Sequence, residues 1–147
     1  MHFVTKTYGH EIGLSTCFRQ HAAHSHCRFL HGYALAVKIT FSATQLDHRN
    51  WVVDFGSMKV FKRWLEVRFD HTLLVAEDDP EKEAFMGLWH KGLAKVVIVP
   101  AVGCEAFAKL IFEGAESWLR DNGHMPRCAV DRVEVSEHGA NSAAYSR

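Results

Sequence analysis

The sequence predicts an α+β fold that combines an antiparallel sheet with two long helices. Ala34–Ala43 alternates apolar and polar residues, as a half-buried strand does. Residues 58–69 and 107–118 instead repeat their apolar side chains at helical spacing. The predicted strands do not alternate strictly with the helices, and this order favours an antiparallel sheet over a doubly wound one.

The remaining segments complete this order of elements. Residues 2–19 suit a strand that is interrupted at Gly9, before a histidine-rich loop. After the first helix the sequence predicts, in order, an acidic turn or helix start at 76–83 with a solvated face, a short helix at 85–93, a strand at 95–99, the second long helix and a last strand at 130–137.

The composition is that of one soluble globular domain, residues 1–147. Hydrophobic residues make up 48% of the chain and charged residues 23%, which allows a sizeable core. Lysine plus arginine equals aspartate plus glutamate at 17 each. The chain therefore has no net positive charge that would attract nucleic acid or an anionic membrane. No apolar run reaches the roughly 18 residues of a membrane span. We therefore expect neither nucleic acid nor a membrane as a partner.

The cysteines and the first residues indicate a cytoplasmic protein. The four cysteines show no CxxC spacing, as expected of free thiols in a reducing compartment. The N-terminal segment lacks the basic start and apolar block of a signal peptide. Secretion is therefore not expected.

A histidine-rich segment is the strongest candidate for a functional site. Ser25–Tyr33 reads SHCRFLHGY, and its imidazoles and the Cys27 thiolate can converge on one metal ion or substrate. His21 and His24 lie close enough in sequence to join them. A solvated loop is the simpler interpretation of any one of these histidines, but the group as a whole favours a site.

Three further positions carry candidate chemistry. Asp70 and His71 are adjacent where the first helix ends, and a carboxylate can orient an imidazole for acid–base catalysis. Glu137 lies on the apolar face of the last strand, where it can accept two N–H bonds from an amino-pyrimidinone edge. The helix start at Gly103 and Cys104 can present backbone N–H groups to a carbonyl or an anion. Each position also has a purely structural alternative: a helix end, a strand residue beyond the core and a plain helix cap.

Five segments together resemble the successive motifs of the 6-pyruvoyl-tetrahydropterin synthase and 6-carboxytetrahydropterin synthase family. They read CRFLHGYAL, WVVDFGSMK, FDHTLLV, VPAVGCEAFA and VEVSEHGANSAAY. The resemblance implies the T-fold, an antiparallel sheet with helices on one face, whose sheets from several subunits close into a barrel. It also implies a homo-oligomer, usually a hexamer, with active sites between subunits.

The same resemblance implies roles for the candidate residues. Cys27 would be the proton-abstracting thiolate, and Asp70 with His71 the second acid–base group. Glu137 would anchor the amino-pyrimidinone edge of a pterin, and the backbone at Gly103 and Cys104 would hold the same ring.

The family's zinc site is altered in this sequence. Zinc in this family is held by three histidines, two of them in an HGH step that here reads His31-Gly32-Tyr33. The first family histidine, which closes an F-x-A-x-H strand end, is displaced as well. We expect either a rebuilt Zn²⁺ site, or zinc that is bound weakly or not at all. The expected ligands of a rebuilt site are His21, His26 and His31, with His24 as the alternative.

The function that this resemblance implies is a lyase acting on a small-molecule pterin. We expect conversion of 7,8-dihydroneopterin triphosphate to 6-carboxy-5,6,7,8-tetrahydropterin, a step of deazapurine and queuosine biosynthesis. One alternative is the pyruvoyl branch, which eliminates triphosphate. The others are a non-catalytic pterin- or purine-binding T-fold protein that has lost the metal, and a related enzyme on a different purine-like substrate.

Overall fold

A computed structural model describes residues 1–147 as seven strands and three helices. In chain order the strands are β1 (His2–Tyr8), β2 (Leu14–Phe18), β3 (His31–Ala43), β4 (Thr72–Ala76), β5 (Val96–Val99), β6 (Cys128–His138) and β7 (Asn141–Ser146). The helices are α1 (Lys59–Phe69), α2 (Lys82–His90) and α3 (Cys104–Asp121). None of them combines the length and the apolar character that crossing a membrane requires.

The long strand β3 is paired along both of its edges. Its residues 31–35 pair with β2 and its residues 37–43 pair with β1, both antiparallel. β6 runs antiparallel along the other edge, and β7 pairs with β6. The predicted interruption of the N-terminal strand is confirmed, because β1 and β2 follow each other along β3 with residues 9–13 between them.

Two further strands extend this antiparallel sheet with parallel pairing. β4 runs parallel to β2 and β5 parallel to β4, so the order is β5-β4-β2-β3-β6-β7, with β1 beside β3. The sequence pattern missed β4, because all five of its residues are buried and the run TLLVA does not alternate. The pattern also missed β7, an edge strand of mostly small and polar residues.

The two long helices pack on one face of the sheet, as predicted. The alternating side chains of β3 form the centre of one core cluster with residues of α1, α3 and β6. Four of these β3 side chains, Leu35, Val37, Ile39 and Phe41, are fully buried. The short helix α2 instead packs on a second, smaller cluster formed by β4 and β5. The α+β architecture is therefore confirmed.

α1 and α3 approach each other closely at Gly114. A Cβ atom at this position would lie 2.5 Å from Cη2 of the Trp64 indole. The indole cannot move away easily, because it stacks on Phe61 at 5.4 Å and carries the Arg68 guanidinium 4.3 Å from its ring centre. A side chain at position 114 would therefore push the two helices apart or displace this stack.

We expect Gly114→Ala to lower the free energy of unfolding by about 1–3 kcal/mol, because overpacking exceeds the gain in helix propensity. Gly87→Ala in α2 is the matched control, since no atom lies within 4 Å of its added Cβ. The control should gain up to about 1 kcal/mol. Urea unfolding of both variants measures the two effects, and a Gly114→Ala protein as stable as the Gly87→Ala protein would contradict the steric argument.

Candidate active site

Glu137 faces a cavity at the end of β6. It continues the face of Val133 and Val135, both fully buried, but is itself only half-buried. Its cavity has a volume of about 430 Å³, and Cys104 and Glu105 line it together with residues 140–143. The carboxylate on an apolar strand face is thus explained by its position just beyond the core.

The start of α3 forms one wall of this cavity. Gly103 adopts φ +108°, a conformation that favours glycine, and no side chain caps the helix. The first N–H groups of a helix have no partner within the helix, so here they remain for a ligand. Cys104 therefore lies beside Glu137, with Gly103 directly before it, and their part in substrate binding stays a prediction.

The thiol of Cys104 is held in its neutral form. Burial, followed by the negative charges of Glu137 and Glu105, raises the pKa of Cys104 to about 12. Burial and then the same Glu137 carboxylate raise the pKa of Tyr33, with smaller contributions from Cys27 and Cys104. Glu137 therefore acts on both Cys104 and Tyr33.

Cys27 lies in a short 3-10 turn that Ser25 initiates. The Ser25 hydroxyl accepts the Cys27 N–H at 3.3 Å, and the Cys27 carbonyl accepts the Gln20 N–H at 2.9 Å. The Gln20 side chain donates to the Val102 carbonyl at 3.3 Å, one residue before Gly103. Gln20 thereby connects the Cys27 turn to the start of α3. Sequence reasoning missed Gln20, since no motif marks it.

Asp70 and His71 contact each other through their side chains. The Asp70 Oδ1 and His71 Nδ1 atoms are 2.7 Å apart, and the His71 N–H donates to the Ser15 carbonyl at 2.6 Å. His71 has φ +55°, and its side chain is 85% exposed. The imidazole is therefore oriented, yet most of it faces solvent.

The Asp70–His71 pair lies apart from the other candidate residues. His71 lines a second cavity of about 660 Å³ together with Cys17, Tyr33, Lys95 and Leu88 of α2. No hydrogen bond or ion pair joins His71 to Cys27 or Glu137. One chain thus places Cys104 and Glu137 in one cavity and links Cys27 to the start of α3 through Gln20, but no hydrogen bond or ion pair joins His71 to them.

The four candidate metal ligands do not converge. His21 Nε2 is 3.2 Å from Asp78 Oδ1, and His31 Nδ1 is 2.7 Å from the Phe29 carbonyl oxygen. His24 and His26 are exposed. No three histidine, cysteine, aspartate or glutamate side chains of the chain are placed to share a metal ion. This arrangement does not fit a three-ligand zinc site, and zinc binding at these histidines stays a prediction.

The acidic turn at 76–83 is not a wholly solvated surface, and that prediction was wrong for Asp79. Asp79 is buried, and Arg19 donates to both of its carboxylate oxygens at 2.9 and 2.6 Å. This bidentate pair holds the pKa of Asp79 below its usual range. Together with the contact between His21 and Asp78, it fastens the start of the histidine-rich loop to the turn before α2.

Comparison with known proteins identifies related chains. The model of a family described as 6-pyruvoyl tetrahydropterin synthase matches residues 8–147. A Rickettsia typhi protein named 6-carboxy-5,6,7,8-tetrahydropterin synthase is 41% identical over 56 residues, which is 37% of this chain and 41% of that protein. A protein of the same name from Aquifex aeolicus is 25% identical over 122 residues, 81% of this chain and 75% of that protein. The matched segment therefore spans less than half of the Rickettsia protein.

Solved structures share the fold over the whole chain. An uncharacterized protein, WS1659 from Wolinella succinogenes, aligns with a TM-score of 0.80 at 19% identity, covering 99% of this chain and 98% of that one. A catalytic-residue mutant of Plasmodium vivax 6-pyruvoyltetrahydropterin synthase aligns with a TM-score of 0.68 at 15% identity, covering 100% and 99%. At these identities the likeness shows the fold alone. The predicted T-fold is confirmed, while the barrel of several subunits stays a prediction.

The influence of Glu137 on Cys104 leads to a test with alkylating reagents. With its pKa near 12, Cys104 should stay protonated and unreactive towards iodoacetamide between about pH 7 and 10. Glu137→Gln removes a negative charge that disfavours the thiolate, so alkylation of Cys104 should begin at lower pH. Mass spectrometry of native protein across this pH range measures the pH at which alkylation begins. Glu105→Gln is the matched control, because the Glu105 carboxylate has the smaller effect on the pKa of Cys104. An unchanged profile in Glu137→Gln would show that the carboxylate does not act on this thiol.

Proposed function

The chain belongs to the 6-pyruvoyl tetrahydropterin synthase family, and from this we propose that it is a lyase resembling 6-carboxytetrahydropterin synthase. Its substrate would be 7,8-dihydroneopterin triphosphate and its product 6-carboxy-5,6,7,8-tetrahydropterin, for deazapurine and queuosine biosynthesis. The names of the Rickettsia typhi and Aquifex aeolicus relatives support the carboxy branch over the pyruvoyl branch. A cytoplasmic location fits the four free cysteines, among which Cys27 must stay reduced to act.

The observation that carries this proposal is the position of Glu137. A pterin presents two adjacent N–H donors on its amino-pyrimidinone edge, and one carboxylate accepts both in a charge-assisted pair. The uncapped start of α3, at Gly103 and Cys104, offers N–H donors beside that carboxylate. The cavity of about 430 Å³ is within the range of small-ligand sites.

Cys27 would carry the proton transfer. It is half-buried and linked through Gln20 to the start of α3, which lines the Glu137 cavity, so a pterin held there would extend its side chain towards the thiol. As a thiolate, Cys27 would take a proton from a carbon of that side chain, and the triphosphate would leave with the electrons of its C–O bond. In the carboxy branch, addition of water and cleavage of a C–C bond would then release two of the three side-chain carbons as acetaldehyde and leave the third as the carboxylate. The fixed turn around Cys27, connected through Gln20 to the start of α3, would keep this geometry.

The second acid–base group would come from a neighbouring subunit. The Asp70–His71 pair is oriented by a 2.7 Å contact, but it is exposed and lies apart from Cys27 in its own chain. A non-glycine residue at φ +55° is uncommon, and such backbone outliers cluster at functional sites. We therefore place the active site between subunits of a homo-oligomer, a hexamer by family resemblance, with His71 of one chain facing Cys27 of another.

A pterin-binding protein without turnover is the second candidate function. The lack of a three-ligand metal cluster favours it, because the family chemistry that the motifs imply includes zinc. Both candidates keep the role of Glu137 and differ only in catalysis.

The test is to incubate the protein with 7,8-dihydroneopterin triphosphate and to identify the products by mass spectrometry. We expect 6-carboxytetrahydropterin, free triphosphate and two side-chain carbons released as acetaldehyde, whereas a pyruvoyl product would move the chain to the other branch. Glu137→Gln should weaken pterin binding about 10- to 100-fold through the loss of charge-assisted hydrogen bonds. Cys27→Ala should bind pterin normally but not turn it over. Pterin binding without any product would instead establish the binding protein, and no binding at all would reject both functions.

A further inference from the structure

Three rings occupy one corner of the sheet, where β2 ends and β3 begins. Phe18 is the last residue of β2 and pairs directly with His31, and Tyr33 lies two residues along β3 on the same face. The ring centres form a triangle with sides of 5.2 Å (Phe18 to His31), 5.4 Å (His31 to Tyr33) and 6.0 Å (Phe18 to Tyr33). We call these three residues the aromatic corner.

The size of this triangle matches three imidazoles on one zinc ion. With Zn–N bonds of about 2.0–2.1 Å and tetrahedral angles, three ligating imidazoles have ring centres on the order of 5 Å apart. The backbone of β2 and β3 therefore keeps the spacing of a three-histidine site. The side chains do not keep its donors, because a phenyl ring offers none and a neutral phenol is a weak one.

Of these three side chains, only His31 has a nitrogen that can bind a metal ion. The Phe29 carbonyl can only accept a hydrogen bond, so the Nδ1 atom 2.7 Å away carries the proton and donates it. Nε2 is then left with its lone pair, and metal-binding histidines have their second nitrogen fixed in the same way. One nitrogen is not enough, however, because structural and catalytic zinc sites use at least three protein ligands.

The neighbouring histidines are not placed to supply the missing ligands. His21 contacts Asp78, and His24 and His26 are exposed. Phe18 is 3% exposed and also packs edge-on against Phe107, with ring centres 5.2 Å apart, so it is fixed in the core. Phe18 is thus held beside His31 and offers no donor atom to a metal.

We infer that the aromatic corner is a metal-free replacement of a three-histidine zinc site, in which Phe18 and Tyr33 stand at two of the three ligand positions. This inference opposes the expectation of a rebuilt zinc site at His21, His26 or His24. It goes beyond the proposed function and does not depend on it, since the metal content of the corner is measured without a pterin, although Tyr33 also lies next to Glu137.

The first measurement uses the wild-type protein and needs no substitution. After incubation with excess zinc and thorough dialysis, mass spectrometry of the elements should find far less than one zinc ion per chain. Wild-type protein that retains about one zinc ion per chain, lost in His31→Ala or in the combined His21→Ala/His24→Ala/His26→Ala variant, would overturn the inference.

The second measurement restores the donors. Phe18→His combined with Tyr33→His should bind about one zinc ion per chain, and adding His31→Ala should abolish it. Each single substitution should give less than the pair, because two imidazoles do not complete the ligand set. Cobalt(II) serves as a spectroscopic probe, since a tetrahedral site gives strong visible absorption that separates it from loose surface binding.

Phe18→Leu is the control for the loss of a core ring, and circular dichroism confirms that each variant is folded. A folded double variant that binds neither zinc nor cobalt would overturn the claim that the backbone keeps the spacing of the site. A single Tyr33→His variant that binds as much zinc as the double variant would overturn the assignment of Phe18 to a ligand position. Both outcomes can be measured even if the variants no longer turn over a pterin, because the metal content is determined without substrate.

Discussion

The pairing of β3 with β2 along one edge and with β6 along the other holds the candidate side chains in place. Its register sets Leu35, Val37, Ile39 and Phe41 in the core. The same face of β3 then carries His31 and Tyr33 at the rim, and β6 carries Glu137 there. A slip of one residue would turn each of these side chains to the other face. The chemistry at the rim therefore depends on the same hydrophobic pattern that builds the core.

The structure divides the candidate residues into two groups on one chain. Cys104 and Glu137 border one cavity on the side of α3, to which Gln20 links Cys27, while His71, paired with Asp70, borders a second cavity beside α2. Each group is fixed locally, the first through Gln20 and the second through the contact between its own side chains. Each group on its own lacks the catalytic side chain of the other. A second copy of the chain would supply it, and an assembly of subunits is therefore part of the proposed function.

The sequence predicted those features that follow from local pattern. The alternation in β3, the helical spacing of α1 and α3 and the place of Glu137 on an apolar face all depend on near neighbours in the chain. Features that depend on distant partners were missed. Asp79 can be buried because it pairs with Arg19, which is 60 residues away in the chain. β4 is covered on both faces by elements that its own sequence does not specify. Likewise, the motif showed that Tyr33 replaces a histidine, but only the strand register placed Phe18 opposite His31.

The proposed function depends above all on Glu137, which would recognise the amino-pyrimidinone edge of a pterin. The most direct measurement compares the affinity of the wild-type protein for 7,8-dihydroneopterin with its affinity for the analogue in which oxygen replaces the 2-amino group. That change turns a donor facing the carboxylate into an acceptor, so the account predicts that binding weakens about 10- to 100-fold. Equal affinity for the two compounds would contradict it.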